Sequence, residues 1–340
     1  MFNALALRPD GSGVQRYAAE LLHALVPVLD ATLVATVLPD AAAALPPEVE
    51  PRARSGGRGV ARVVAGTRTL PEADLVHGLN VHLPIRRTAP AVATVHDLAV
   101  YDVPWTFRKR FVAAERAAMG LAMRRADALI ADSSFTADRI RERFGRQATV
   151  VPLAAPVGLT PPTGDDIDAV RNAYALPPRF VLFVGTVEPR KDVTPLAAAC
   201  RDVGVPLVMA GRRQGAVPAD AIHLGYVPGA DLAALYGAST VVGYPSVYEG
   251  FGLPPLEAMA CGSPVLAYRI PPLVESLGDA AALVAPGDDT GLRAALRALV
   301  FDPDERAARI AAARACADRF TWAATAAATA NVYRRLGVSC

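Results

Sequence analysis

Residues Tyr248–Gly262 read YEGFGLPPLEAMACG, with two glutamates, Glu249 and Glu257, set on either side of a Gly-Phe-Gly loop and a Pro-Pro pair. The β-branched run TVVGYPS before the stretch is of strand type, and LEAMA after it is a helical run closed by Gly262. Pro254 or Pro255 suits the first helical position, where a missing N–H costs nothing. The loop therefore feeds a helix N-terminus, whose free amides and dipole favour an anion such as phosphate. Glu257 then falls in the first helical turn, where the dipole alone favours an acidic residue. Glu249 is either part of a site or a solvated loop residue.

The same alternation extends along the whole chain. In the first half FNALAL, TLVATVL, ADLVHG, AVATVHD, DALIAD and ATVVPL are strand candidates. VQRYAAELLHALVPVL, Phe107–Arg125 and FTADRIRERFG are helix candidates, and the Pro-, Gly- and Arg-rich segment from Ala41 to Thr69 is expected to be mobile in part. The second half repeats the pattern with FVLFVGTV, PLVMAG, AIHLGYV, TVVGYPS, PVLAY and AALVAP. Alternating β and α at this spacing predicts parallel sheets covered on both faces. A length of 340 residues suits two domains of about 150 each. The boundaries follow: an N-terminal doubly wound domain over 1–155, a Pro/Gly linker over 156–166, a second doubly wound domain over 167–320, and a last helix over 321–340 packing back toward the first domain. Two such domains face each other across a cleft, and ligands bind outside the carboxyl ends of the strands. Three glycine loops fall at such ends: Gly11–Gly13 after the first strand, VGTVEPRK after the first strand of the second half, and EGFG after the fourth.

Composition narrows the partners. Thirty-five basic against 33 acidic residues give a net charge of +2, so no strongly basic face is implied and nucleic acid is not an expected partner. Lysine is scarce: Lys109 and Lys191 are the only two, and the other 33 cations are arginine. The four cysteines, Cys200, Cys261, Cys316 and Cys340, match no metal spacing and no dense disulfide framework, which predicts free thiols in a reducing cytoplasm. The opening MFNALALRPDG has no basic segment followed by a long apolar one, and no run approaches ~18 apolar residues. A cytoplasmic location follows. Arg108-Lys109-Arg110 beside Trp105, Phe107 and Phe111 is either an ordinary solvated helix start or a peripheral contact with the inner face of a membrane or a lipid acceptor.

The motif from Glu249 to Glu257 within YEGFGLPPLEAMACGSPV resembles the donor-binding signature of the retaining family-4 glycosyltransferases, which have the GT-B fold. VGTVEPRKD (Val184–Asp192) resembles the diphosphate-binding segment of that family, and TVHDL (Thr94–Leu98), GSGVQRY and HLGYV (His223–Val227) resemble other parts of it. The likeness spans nearly the whole chain, and TVHDL with GTVEPRK is similar to bacterial mannosyltransferases of polysaccharide assembly.

The resemblance implies a role for each of these positions. Glu249 would contact hydroxyls of the donor sugar, with the backbone of Gly250, Phe251, Gly252 and Leu253 beside sugar and phosphate, and Glu257 would accept from the ribose. Arg190 and Lys191, otherwise a surface pair, would meet the diphosphate beside Gly185 and Thr186. The family often carries a basic residue where this chain has Thr186, and an Asn-Gly where it has Leu153-Ala154. Tyr226 and Val227 would border the nucleobase through backbone groups. Gly11 and Gly13 would let backbone approach sugar or phosphate, with Ser12 as helix cap in the competing view. His96 would reach the donor sugar from the first domain, or else only cap a strand. His77 and His82 would line the acceptor cleft or hold a loop.

These assignments imply a retaining hexosyltransferase that takes GDP-mannose or a UDP-sugar as co-substrate and needs no cofactor. The acceptor is a hydroxyl of a glycan, a lipid-linked or a small-molecule acceptor. No metal is expected: Asp302-Pro303-Asp304 spells a DxD string, but FDPDERAARIAAA is a capped, Pro-led helix start. Two other classes compete, a non-catalytic nucleotide-sugar-binding subunit and another GT-B enzyme such as a phosphorylase or 2-epimerase. Lys191→Ala is expected to leave the fold intact and nearly abolish transfer, with Lys191→Arg recovering part of the rate.

Overall fold

The computed structural model describes residues 1–7, 13–55, 60–68, 70 and 72–338. Two compact units emerge, Met1–Leu153 with Thr321–Cys340, and Ala154–Phe320. The first contains β1 (Phe2–Asn3), α1 (Val14–Leu25), β2 (Leu33–Val37), β3 (Val49–Ala53), α2 (Val60–Gly66), β4 (Val76–Gly78), β5 (Ala91–Val95), α3 (Ala99–Asp102), α4 (Lys109–Arg125), β6 (Ala128–Ala131), α5 (Ser134–Phe144) and β7 (Thr149–Val150). The second contains α6 (Gly164–Ala173), β8 (Val181–Val184), α7 (Val193–Val203), β9 (Leu207–Ala210), β10 (Ile222–Gly225), α8 (Gly229–Ala238), β11 (Val241–Tyr244), α9 (Leu253–Ala260), β12 (Val265–Tyr268), α10 (Pro271–Leu277), β13 (Ala282–Val284), α11 (Asp289–Phe301) and α12 (Pro303–Ala317). A last helix, α13 (Trp322–Arg335), belongs to the first unit.

The first sheet runs β3-β2-β1-β4-β5-β6-β7 and the second β10-β9-β8-β11-β12-β13, with every pairing parallel. Both are doubly wound sheets whose order reverses once, between β1 and β4 and between β8 and β11. Ligands bind at such switch points, outside the carboxyl ends of the strands. Central strands are covered on both faces and so read as unbroken apolar runs: β5, β9, β11 and β12 are buried at every residue.

Several local expectations need correction. The strand in FNALAL is two residues long. The segment from Ala41 to Thr69 holds two elements not expected there, β3 and α2, while residues 56–59 and 69, on which part of the expected mobility falls, lie outside the described residues. β3 was hidden by Pro51, which cannot donate to a ladder; it lies on the edge of the sheet, paired with Ala35 on one side only. The expected linker ends early, since Thr163 and Asp166 form a capping box that starts α6 at Gly164. Neither Pro254 nor Pro255 takes the first position of α9; Leu253 does, after Gly252 at φ +100°. Glu257 therefore stands in the second turn, not the first.

Candidate functional site

The switch point of the second sheet gathers the loops that follow β8 and β11. The β8 loop closes in a 3-10 turn, Pro189–Lys191, and enters α7 through Asp192, one of two non-glycine residues at positive φ among those described. The β11 loop carries Glu249 and enters α9. Backbone and side chain join the two loops: the Val247 amide donates to the Arg190 carbonyl at 2.9 Å, and Ser246 Oγ donates to the same oxygen at 3.2 Å.

Glu249 is the centre of this junction. Its Oε1 accepts from Lys191 Nζ and, at 3.0 Å, from Tyr244 Oη, and its Oε2 accepts from Arg190 Nη1 at 3.2 Å. Arg190 also reaches the Tyr248 carbonyl at 2.9 Å and lies 2.7 Å from Glu188 Oε1. The Lys191 ammonium sits 4.6 Å from the centre of the Tyr244 ring, which stacks on Phe183. Lys191 is 5 % and Glu249 7 % exposed, so neither the surface pair nor the solvated glutamate describes them. Burial alone would raise the Glu249 carboxyl, but Lys191 and Arg190 more than offset it and bring it down to about 2. Burial lowers the Lys191 ammonium, and Glu249 opposes that shift. Two cations, Arg190 and Lys191, thus meet two carboxylates, Glu188 and Glu249.

Glu257 is 2 % exposed and accepts from Tyr236 Oη of α8 at 2.9 Å. Phe251 is buried, its ring against Phe320 with centroids 5.6 Å apart, so only the backbone of this residue is available to a ligand. Pro254 and Pro255 lack N–H groups, which leaves Leu253 as the only donor among the first three residues of α9. Gly185 and Gly211 touch at the ends of β8 and β9: a Cβ on Gly211 would lie 2.0 Å from the Gly185 oxygen. The Gly211 amide donates to Gly225 at the end of β10 at 2.7 Å. Beyond it Tyr226 is 48 % exposed with the Arg212 guanidinium 5.7 Å from its ring centre, whereas Val227 is buried. Thr186 lies half-buried in the β8 loop.

In the first unit, Gly11 and Ser12 lie outside the described residues, and Gly13 is the N-cap of α1 at φ +48°. His96 follows β5. Its Nδ1 lies 2.7 Å from Asp132 Oδ2 and its Nε2 3.0 Å from the Leu79 carbonyl. His77 is fully buried between Tyr333 Oη at 2.6 Å and Thr94 Oγ1 at 2.9 Å, and burial lowers its pKa to about 3. His82 is buried against Glu115 at 3.1 Å. His77 thus ties β4 to β5 and α13, and His82 ties the loop after β4 to α4.

Sequence inspection missed Tyr244, Glu188, Tyr236, Asp132 and Gly211. For Asp132 the register of the sheet supplies the partner. Val95 pairs with Ala131 in register, so His96 and Asp132 are the next residues of adjacent parallel strands. The DxD string is a cap: Asp302 accepts from the amides of Asp304 and Glu305 at 3.0 and 3.1 Å. Among the described residues no three His, Cys, Asp or Glu side chains are grouped to hold a metal ion, and no helix is long and apolar enough to cross a membrane. Cys200, Cys261 and Cys316 are buried free thiols; Cys340 lies outside the described residues.

Two doubly wound parallel sheets, with a charged, glycine-bounded junction at the switch point of the second, define a GT-B protein. The family model described as Glycosyltransferase Family 4 matches residues 11–156, and that described as Glycosyl transferases group 1 matches 166–315. O-antigen chain mannosyltransferase B of Escherichia coli is 31 % identical over 288 residues, covering 77 % of this chain and 74 % of that protein. The chain belongs to glycosyltransferase family 4. Serotype-specific mannosyltransferase WbdA of Escherichia coli is 30 % identical over 237 residues, or 62 % of this chain, which spans only 29 % of the length of WbdA. The crystal structure of Anabaena HepE in complex with UDP and glucose shares the fold with a TM-score of 0.76 and 21 % identity, covering 98 % of each chain.

Proposed function

We propose that the protein transfers a hexose from a nucleoside diphosphate sugar to an acceptor hydroxyl, with retention, in the assembly of a polysaccharide or related glycan. The observation that carries this reading is the junction of Glu249, Lys191 and Arg190 at the switch point, where α7 and α9 both begin without a side-chain cap. Glu249 is the acceptor for hydroxyls of the sugar, fixed as a carboxylate by Lys191, Tyr244 and Arg190. Held from several sides by Lys191, Tyr244 and Arg190, the carboxylate has one fixed orientation, and that orientation sets how it meets the sugar. The diphosphate lies along the β8 loop, beside Gly185, Thr186 and the helix ends, where positive potential favours the charge that develops on the leaving group. Glu257, oriented by Tyr236, accepts from the ribose, and Tyr226 and Val227 border the base.

No side chain is required as nucleophile. The C1–O bond to phosphate breaks, the acceptor oxygen bonds to C1 on the same face, and its proton passes to the departing phosphate oxygen. Positioning and charge stabilisation supply the catalysis. Relatives named as mannosyltransferases make GDP-mannose the first donor to test, and HepE makes UDP-glucose the second. Release of free nucleoside diphosphate is the assay, with transfer that persists after exhaustive chelation expected. No release with either donor and a panel of polyisoprenyl-linked and free glycans would sink the proposal. Binding without release would favour a non-catalytic subunit, and release of a free epimerised sugar another GT-B enzyme. Trp105, 74 % exposed beside exposed Arg108, Lys109 and Arg110, is the proposed contact with an anionic membrane surface; co-sedimentation with phosphatidylglycerol vesicles that survives Trp105→Ala with Lys109→Glu would remove it.

A further inference from the structure

The carboxyl ends of β4, β5 and β6 meet on one imidazole. Leu79 follows β4, His96 follows β5 and Asp132 follows β6. The Leu79 carbonyl has no proton to give, so His96 Nε2 must donate to it across 3.0 Å. At Nδ1, 2.7 Å from Asp132 Oδ2, two arrangements are possible: an imidazolium donating to a carboxylate, or a neutral ring accepting from a carboxylic acid.

The surroundings favour the charged pair. Asp132 directly precedes Ser133, the N-cap of α5, and the positive end of that helix favours an anion there. The neighbouring Asp97 carboxylate adds negative potential at the ring. Burial works the other way at both partners, disfavouring the charged ring and raising the Asp132 carboxyl above its ordinary value, yet the combined pull of Asp132, the Leu79 carbonyl and Asp97 leaves His96 above its own ordinary value. The remaining titratable neighbours do not supply a competing proton. Tyr17 presents its ring edge-on at 4.7 Å and spends its hydroxyl on Thr94, and His77 is neutral. Asp132 is 2 % exposed, and its Oδ1 has no hydrogen-bond partner among the described residues. One oxygen of this carboxylate is thus devoted to His96 and the other to no hydrogen bond at all.

We propose that Asp132 is a positioning residue that fixes the ring of His96 and holds it doubly protonated, so that His96 acts as a standing cation at the ligand end of the first sheet. With both N–H groups committed, His96 neither accepts nor releases a proton during turnover; it contributes charge. Its consequence for catalysis rests on the donor-site reading above, whereas its charge state does not.

Asp132→Asn separates charge from shape. The Asn amide donates to Nδ1 of a neutral ring while Nε2–H stays on Leu79, so the geometry survives and the cation is lost. Ring ¹⁵N spectra of protein labelled at its five histidines, with His96 assigned by its absence in His96→Gln, read the charge directly. In the wild type both His96 nitrogens are expected to be of the protonated type at pH 7, and in Asp132→Asn a neutral Nε2–H ring is expected at the same pH. In the transfer assay Asp132→Asn is expected to lower kcat by about 100–1,000-fold, the scale of one lost electrostatic stabiliser, with little change in the donor KM. A neutral His96 in the wild type overturns the proposal, whatever the variant does and whether or not it folds. Loss of the charge with kcat unchanged overturns the positioning role. Failure of every donor to turn over would count against the proposed function alone, because the wild-type spectra still decide how Asp132 holds His96.

Discussion

Lys191 was legible as a residue of interest, being one of two lysines in an arginine-rich chain, but not as a buried partner of Glu249. Removing it leaves the carboxylate buried with Arg190 as its only formal countercharge. Lys191→Ala therefore costs stability as well as transfer: breaking a buried pair from one side costs about 3–5 kcal/mol. Urea unfolding of Lys191→Ala should show a loss of that order, and Glu249→Gln in the same background should recover part of it. A wild-type midpoint in Lys191→Ala would mean that the pair does not form. The acid limb offers a second check. The folded Glu249 carboxyl lies at about 2, below its ordinary 4.5, so its stabilisation is fully present above 4.5 and is lost as pH falls through about 2. Glu249→Gln should flatten stability against pH between those values and leave the slope from pH 6 to 8 unchanged.

At the scale of elements, the ends of β8, β9 and β10 are held together by glycine. Gly211 at φ +142° packs against the Gly185 backbone, which itself donates to Ala210 at 2.9 Å. No side chain can swing aside there, because the atom met is a backbone oxygen. Gly211→Ala should cost about 1–3 kcal/mol from backbone strain alone, beyond the clash, and should weaken donor binding by displacing the β8 loop. Calorimetry and a donor titration test this, and an unshifted Tm would show that the strand ends are not so close. Every strand candidate of the second half is found in the sheet; the central ones announce themselves as buried apolar runs, whereas the edge strands β10 and β13 are only partly buried. β3 escaped because an edge strand tolerates the proline and charges of VEPRA. The start of α9 was misplaced for a related reason: proline is accepted throughout the first turn, so its presence does not say which position it takes.

On the scale of the whole molecule, the last helix completes the first unit. Trp322 packs near Tyr17, Thr325 Oγ1 donates to the Pro152 carbonyl at 2.8 Å, and Tyr333 reaches His77. A chain ending at Phe320 should lose hydrogen-exchange protection in β4 and β5 while amides of 154–320 keep theirs. Equal protection in both forms would refute a stabilising role for α13.

What the sequence determined by itself was the alternation of buried strands and amphipathic helices, and the glycine-glutamate motif that betrays family 4. Both are local patterns, set by which residues tolerate two-sided burial and which loops need a backbone without a Cβ. The partners were decided only by the tertiary structure. Glu249 meets Lys191 across 58 residues and His96 meets Asp132 across 36, distances at which no periodicity reports. Parallel order and register brought those side chains to one end of a sheet, and burial there turned exposed-looking charges into fixed ones.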